Sequence, residues 1–135
     1  METNELYTLA KQKGITTHSI KCPKSKAISL ELAGKKHIGI DSSVFKNEYT
    51  ERLVLAHELS HALTNAYYDN LDNPINILRM EIRANKKQIE MLIPKEKLDK
   101  ILKECSSVFE LAEYFSVPEE LIKKAFWLYY KKQLP

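Results

Sequence analysis

The chain has 135 residues, enough for one domain with a real core and too few for two comfortable ones. Its 44% hydrophobic and 29% charged residues exclude a disordered chain, and a net charge of +3 is too mild for a dedicated nucleic-acid binder. Two cysteines, Cys22 and Cys105, without C-x-x-C spacing, favour a reducing compartment over a disulfide framework. The acidic start, Met1-Glu2-Thr3-Asn4-Glu5, lacks the basic and apolar regions of a leader, and no apolar run approaches membrane-spanning length. A cytoplasmic, bacterial-type protein with no membrane partner is expected. The oligomeric state is left open.

Leu6, Leu9 and Ala10 recur at helical spacing, and Gly14 closes this first helix. Residues 15–22 read as a loop or short strand, and Pro23-Lys24-Ser25-Lys26 as a turn. His18 lies in this loop and is kept as a candidate transition-state donor. Residues 27–32 and 36–41 alternate apolar and polar about the turn Ala33-Gly34-Lys35, which predicts a β-hairpin and a small antiparallel sheet. His37 falls on the side opposite Ile38 and Ile40, toward solvent. One edge of this hairpin, with residues 35–41 in contact, is expected to take an extended peptide by strand addition.

The next stretch organises the rest: Val54-Leu55-Ala56-His57-Glu58-Leu59-Ser60-His61-Ala62-Leu63, an H-E-x-x-H pattern in an apolar run without Gly or Pro. Asn47 is a suitable N-cap, Glu48 and Glu51 suit the first turn, and the helix is expected to reach about Asn65. His57 and His61 then lie one turn apart on one face, so both imidazoles reach one ion. Glu58 is offset around the helix, beside a water rather than on the ion. Two neutral imidazoles holding Zn²⁺ with the intervening Glu as general base is the zincin arrangement.

Residues 67–74 are rich in turn formers. Tyr67 and Tyr68 are the nearest phenols to the motif helix and are candidate donors to an oxyanion. A second helix is predicted over residues 79–92, with Ile82, Ile89 and Leu92 on its buried face and Pro94 as its stop. Glu81, twenty residues beyond His61, would complete a His₂Glu site and leave the fourth position open to water. Asn85, one turn on, could orient His57 through its second ring nitrogen. Glu90 is the rival carboxylate, more than two turns further along.

Residues 95–105 predict a short amphipathic helix, and residues 109–122 read helix, turn, helix. That spacing raises a DNA-binding regulator as a second class of function. Glu119 and Glu120 open the candidate recognition helix and repel phosphate, while Lys123, Lys124, Lys131 and Lys132 come late, which argues against it. Phe126, Trp127, Tyr129 and Tyr130 look like core or partner surface. The expected architecture is a single α+β, zincin-like domain. Residues 1–94 form its core and residues 95–135 a helical C-terminal subdomain.

His57-Glu58-Leu59-Ser60-His61, Glu81-Ile82-Arg83-Ala84-Asn85 and Met91-Leu92-Ile93-Pro94, in that order, resemble the ImmA/IrrE family of zinc metallopeptidases. Ile38-Gly39-Ile40-Asp41-Ser42-Ser43 and Glu51-Arg52 are also similar to that family, so the resemblance covers roughly residues 27–94. It implies a gluzincin-like zinc site with His57, His61 and Glu81 as ligands and Glu58 as base. It also implies a protein substrate: a repressor, often encoded nearby on a phage or integrative element, whose cleavage derepresses genes. The family often has Gly where Ser60 stands and an acidic residue where Arg83 stands. The other reading is a metal-holding, catalytically silent regulator that acts by binding.

Overall fold

The computed structural model describes residues 1–67 and 73–134. The chain divides into two compact units, residues 1–88 and 89–135. In the first, α1 (Thr3–Gln12) is followed by β1 (Ile15–Ile20), β2 (Ala27–Leu32), β3 (Lys35–Asp41), a 3₁₀ turn (Ser42–Lys46), α2 (Glu48–Thr64) and α3 (Pro74–Leu92), whose last turn belongs to the second unit. The second continues with α4 (Lys95–Ile101), α5 (Val108–Phe115) and α6 (Glu119–Tyr130).

The sheet order among the described residues is β1-β3-β2. β2 and β3 form the expected antiparallel hairpin. Its two-residue turn places Ala33 and Gly34 at φ +52° and +76°, the left-handed pair of a type I′ turn that follows the twist of the strands. β1 departs from the expectation of a purely antiparallel sheet. The stretch read as loop or short strand is a full strand, and it pairs parallel with β3 on the side away from β2. Alternation along residues 15–20 is weak because the strand lies at an edge with one face open, so the periodic signal is diluted.

Ile38 and Ile40 on β3 are 0% and 1% exposed and face α2, where Leu55 and Leu59 are also fully buried. Leu6 and Ala10 of α1 close the same core. Each buried Leu or Ile here contributes about 1.5–3 kcal/mol by leaving water, and Leu59→Ala would cost about 2–5 kcal/mol. At Gly39 an added Cβ would stand 2.7 Å from Ile20 Cδ1 on the outer face, so the end of the Ile20 side chain would have to swing aside.

The same core aims α2. Asp41, at the end of β3, accepts from the Cys22 amide at 2.6 Å, the Ser43 amide at 3.1 Å and the Ser43 hydroxyl. The hydroxyl and then the Cys22 amide hold its carboxyl below the ordinary aspartate range. The 3₁₀ turn is thereby fixed to β3, and Asn47 Oδ1 caps α2 by accepting from the Thr50 amide at 3.1 Å. Arg52 Nε donates to the Met1 carbonyl at 2.8 Å, and the Tyr7 hydroxyl donates to Glu51 at 2.5 Å, which ties α1 to α2. Lys36 Nζ donates to the Ala62 carbonyl at 2.7 Å in the last turn, where the helix dipole favours a cation. α2 ends at Asn65 in the left-handed region, φ +55°, close to the expected boundary.

α3 begins five residues earlier than the sequence predicted, at Pro74 rather than Arg79. Proline suits a first helical position, and Asn73 Oδ1 accepts from the Ile75 amide at 2.8 Å. Ile82 was expected on the buried face but is 58% exposed, whereas Ala84 and Ile89 are buried. In the second unit α4 stops at Ile101, short of the predicted Cys105. Leu98, Leu111, Phe115, Ile122 and Ala125 form its core. The Tyr129 hydroxyl donates to the Ile93 carbonyl at 2.7 Å, and that of Tyr130 to Asp99, which also takes Lys95 at 3.1 Å. Ser116, at φ +54°, turns α5 into α6. Among the described residues no helix is long and apolar enough to cross a membrane.

Candidate functional site

The C-terminal half of α2 and β2 flank a groove of about 610 Å³ in the first unit. His57, Glu58 and His61 form one wall, residues 27–31 of β2 the other, and Ala66 and Tyr67 one end. Helical spacing brings His57 and His61 side by side, with ring centres 4.8 Å apart and planes at 69°.

His61 is the best-held member. It is 7% exposed, and its Nδ1 donates to the Ala66 carbonyl at 2.7 Å. A carbonyl can only accept, so Nδ1 carries a proton, and in the neutral ring Nε2 is then the nitrogen left to hold a metal. The left-handed cap at Asn65 makes this contact by folding Ala66 back, with its amide on the His61 carbonyl at 2.9 Å. His61 Nε2 in turn faces Glu81 Oε1 of α3 at 3.6 Å. Two ligands with bonds of about 2.0–2.2 Å at tetrahedral angles stand roughly 3.4 Å apart, so this pair suits a shared zinc. Among the described residues no three His, Cys, Asp or Glu side chains enclose an ion as placed. His57, the third residue of the set expected from the sequence, is half-buried.

Ser60 is fully buried between the histidines, and its hydroxyl donates to the His57 carbonyl at 2.6 Å. A small residue fits there, and the hydroxyl is satisfied within the helix. Arg83 is exposed. Asn85 is half-buried on α3, and no hydrogen bond joins it to His57 among the described residues. Glu90 is exposed on the final turn of α3.

The Tyr67 hydroxyl is buried and has no hydrogen-bond partner among the described residues. Burial, with a smaller contribution from Glu31, pushes its pKa up, so it stays a protonated donor at the groove. Tyr68 lies outside the described residues. His18 does not approach the groove walls: its Nε2 meets His37 Nδ1 at 3.0 Å on the outer face of the sheet. The expected strand-addition edge also shifts. β3 is paired on both sides, so the edge beside the groove is β2.

Two parts of the site escaped sequence reasoning. The Ala66 carbonyl carries no side-chain signal. Glu31 was hidden because alternation makes Ile28, Leu30 and Leu32 the apolar face of β2, yet the face of Ala27, Ser29 and Glu31 is the one shared with Ile38 and Ile40, and Ile28 and Leu32 are left 44% and 61% exposed.

A small sheet backed by a helix bearing His-Glu-x-x-His, with a carboxylate delivered from the next helix, defines a metallopeptidase-like domain. The sequence profile of the IrrE N-terminal-like domain, a peptidase family, matches residues 10–126. The chain belongs to this ImmA/IrrE family. No curated protein and no solved structure matches it at significant similarity.

Proposed function

We propose that the chain is a zinc-dependent endopeptidase that cleaves a protein, by preference a transcriptional repressor encoded beside it on a phage or mobile element. The observation that carries the reading is His61, held by a carbonyl on one nitrogen and facing the Glu81 carboxylate with the other. That is how a metal-ligating imidazole is ordinarily oriented. His57, His61 and Glu81 would hold the ion. Bound there, zinc supplies Lewis acidity to a scissile carbonyl and acidifies a water.

The chain's own groups do the rest. Glu58, on the groove wall beside His57, takes the proton of the attacking water and passes it to the leaving amine. Tyr67, whose buried hydroxyl at the groove has no partner among the described residues, would donate to the oxygen that gains charge. The open edge of β2 gives an extended peptide a main-chain ladder across the groove.

The test is incubation of the zinc-loaded chain with the neighbouring repressor, followed by mass spectrometry of the products. Glu58→Gln should keep zinc and lose about 10²–10⁴-fold in cleavage rate. Cleavage by Glu58→Gln at the parent rate would overturn the mechanism. Tight, zinc-dependent binding of the repressor without cleavage by the parent would establish the silent regulator instead.

A further inference from the structure

Glu31 is a carboxylate whose natural partner has been taken away. On the sheet it stands directly opposite Lys36 of β3, the cross-strand position at which opposite charges ordinarily pair. Lys36 is committed elsewhere, with its Nζ on the Ala62 carbonyl at 2.7 Å. No ion pair joins Glu31 to a cation among the described residues, and no Lys or Arg lines the groove. The two other β2 side chains on its face, Ala27 and Ser29, are small. Glu31 is therefore the one large charged group that β2 offers to whatever lies in the groove. Its field already reaches Tyr67, at the groove's end.

We propose that Glu31 sets the specificity of the groove by selecting a substrate with lysine or arginine at one fixed position. The position is fixed because a peptide paired with a strand has a set register, and a slip of one residue would send the side chain to the other face. A lysine or arginine reaching Glu31 restores the charge pairing that Lys36 forgoes. A glutamate there meets like charge. Because Glu31 is solvent-exposed, the selectivity is moderate, about five- to tenfold in kcat/KM, and shrinks as salt rises. The inference rests on the endopeptidase reading for its chemistry but not for its binding.

The experiment uses the full chain with zinc and a mixture of random-sequence peptides, and reads cleavage by mass spectrometry. The parent should favour Lys or Arg over Glu at a single position. Glu31→Gln should level that preference, and Glu31→Lys should turn it toward Glu. A merely structural role would not produce this inversion. A parent preference that survives both changes, or the absence of any charge preference, overturns the proposal. If the parent cuts nothing, the endopeptidase reading fails, and Glu31 is judged by binding alone. Two fluorescent peptides differing only in Lys or Glu would then be titrated against Glu58→Gln and against Glu58→Gln with Glu31→Lys. Reversed order of affinity supports the selection, and unchanged order overturns it.

Discussion

The four histidines form two pairs with opposite surroundings. His18 and His37 lie on adjacent strands, ring centres 5.2 Å apart, and spend one nitrogen each on the other across an open face. His57 and His61 lie on one helix with ring centres 4.8 Å apart, hardly closer, yet their settings differ in three ways. His61 is buried, its Nδ1 is fixed by a carbonyl, and a carboxylate from another helix meets its Nε2. Proximity of two imidazoles does not make a metal site. Only the second pair has the orienting acceptor, the converging anion and the groove that the proposed zinc site requires.

The widest break in this comparison is at the ion. His61→Asn should weaken zinc binding by more than about 100-fold, beyond the loss that follows removal of an orienting group. His18→Asn with His37→Asn should leave it within about twofold. Competition against a chromophoric chelator measures both, and equal losses from the two pairs would erase the distinction.

A smaller effect tests the groove rather than the ion. Tyr67→Phe should lower kcat by about 10²-fold with KM little changed, as for loss of one oxyanion donor. Steady-state kinetics on the cleaved repressor would show it, and an unaltered kcat would remove Tyr67 from the chemistry.

The smallest effect separates site from scaffold. Asp41 is held below the ordinary aspartate range chiefly by the Ser43 hydroxyl and the Cys22 amide. The unfolded chain therefore binds a proton first. The stability this contributes is present above the unfolded pKa and is lost as pH falls through the lowered folded one. Asp41→Asn should be less stable near neutrality and show a flatter acid limb in a series of melting temperatures against pH. An acid limb identical to the parent's would show that Asp41 is not the titrating tie.

What could be read in the chain followed its local signals. α2 was legible from the Asn47 cap to Asn65, because capping chemistry and apolar spacing are local. The β2–β3 hairpin was legible because period-two alternation and a glycine turn all lie within the one stretch of residues 27–41. β1 was read only as loop or short strand, since parallel pairing is long-range and its outer residues mix His18 and Thr16 with Ile20. The start of α3 was hidden because Asn73-Pro74 suits a turn as well as a helix entry.

By itself the sequence determined the class of the site, since an imidazole pair at helical spacing with a carboxylate beside it depends only on 3.6 residues per turn. Tertiary structure alone decided that Glu81 meets His61, that the Ala66 carbonyl sets its tautomer, and that β2 rather than β3 borders the groove. Those three facts depend on where separate elements pack, and packing is settled by the shared core of Ile38, Ile40, Leu55 and Leu59 rather than by any local stretch of chain.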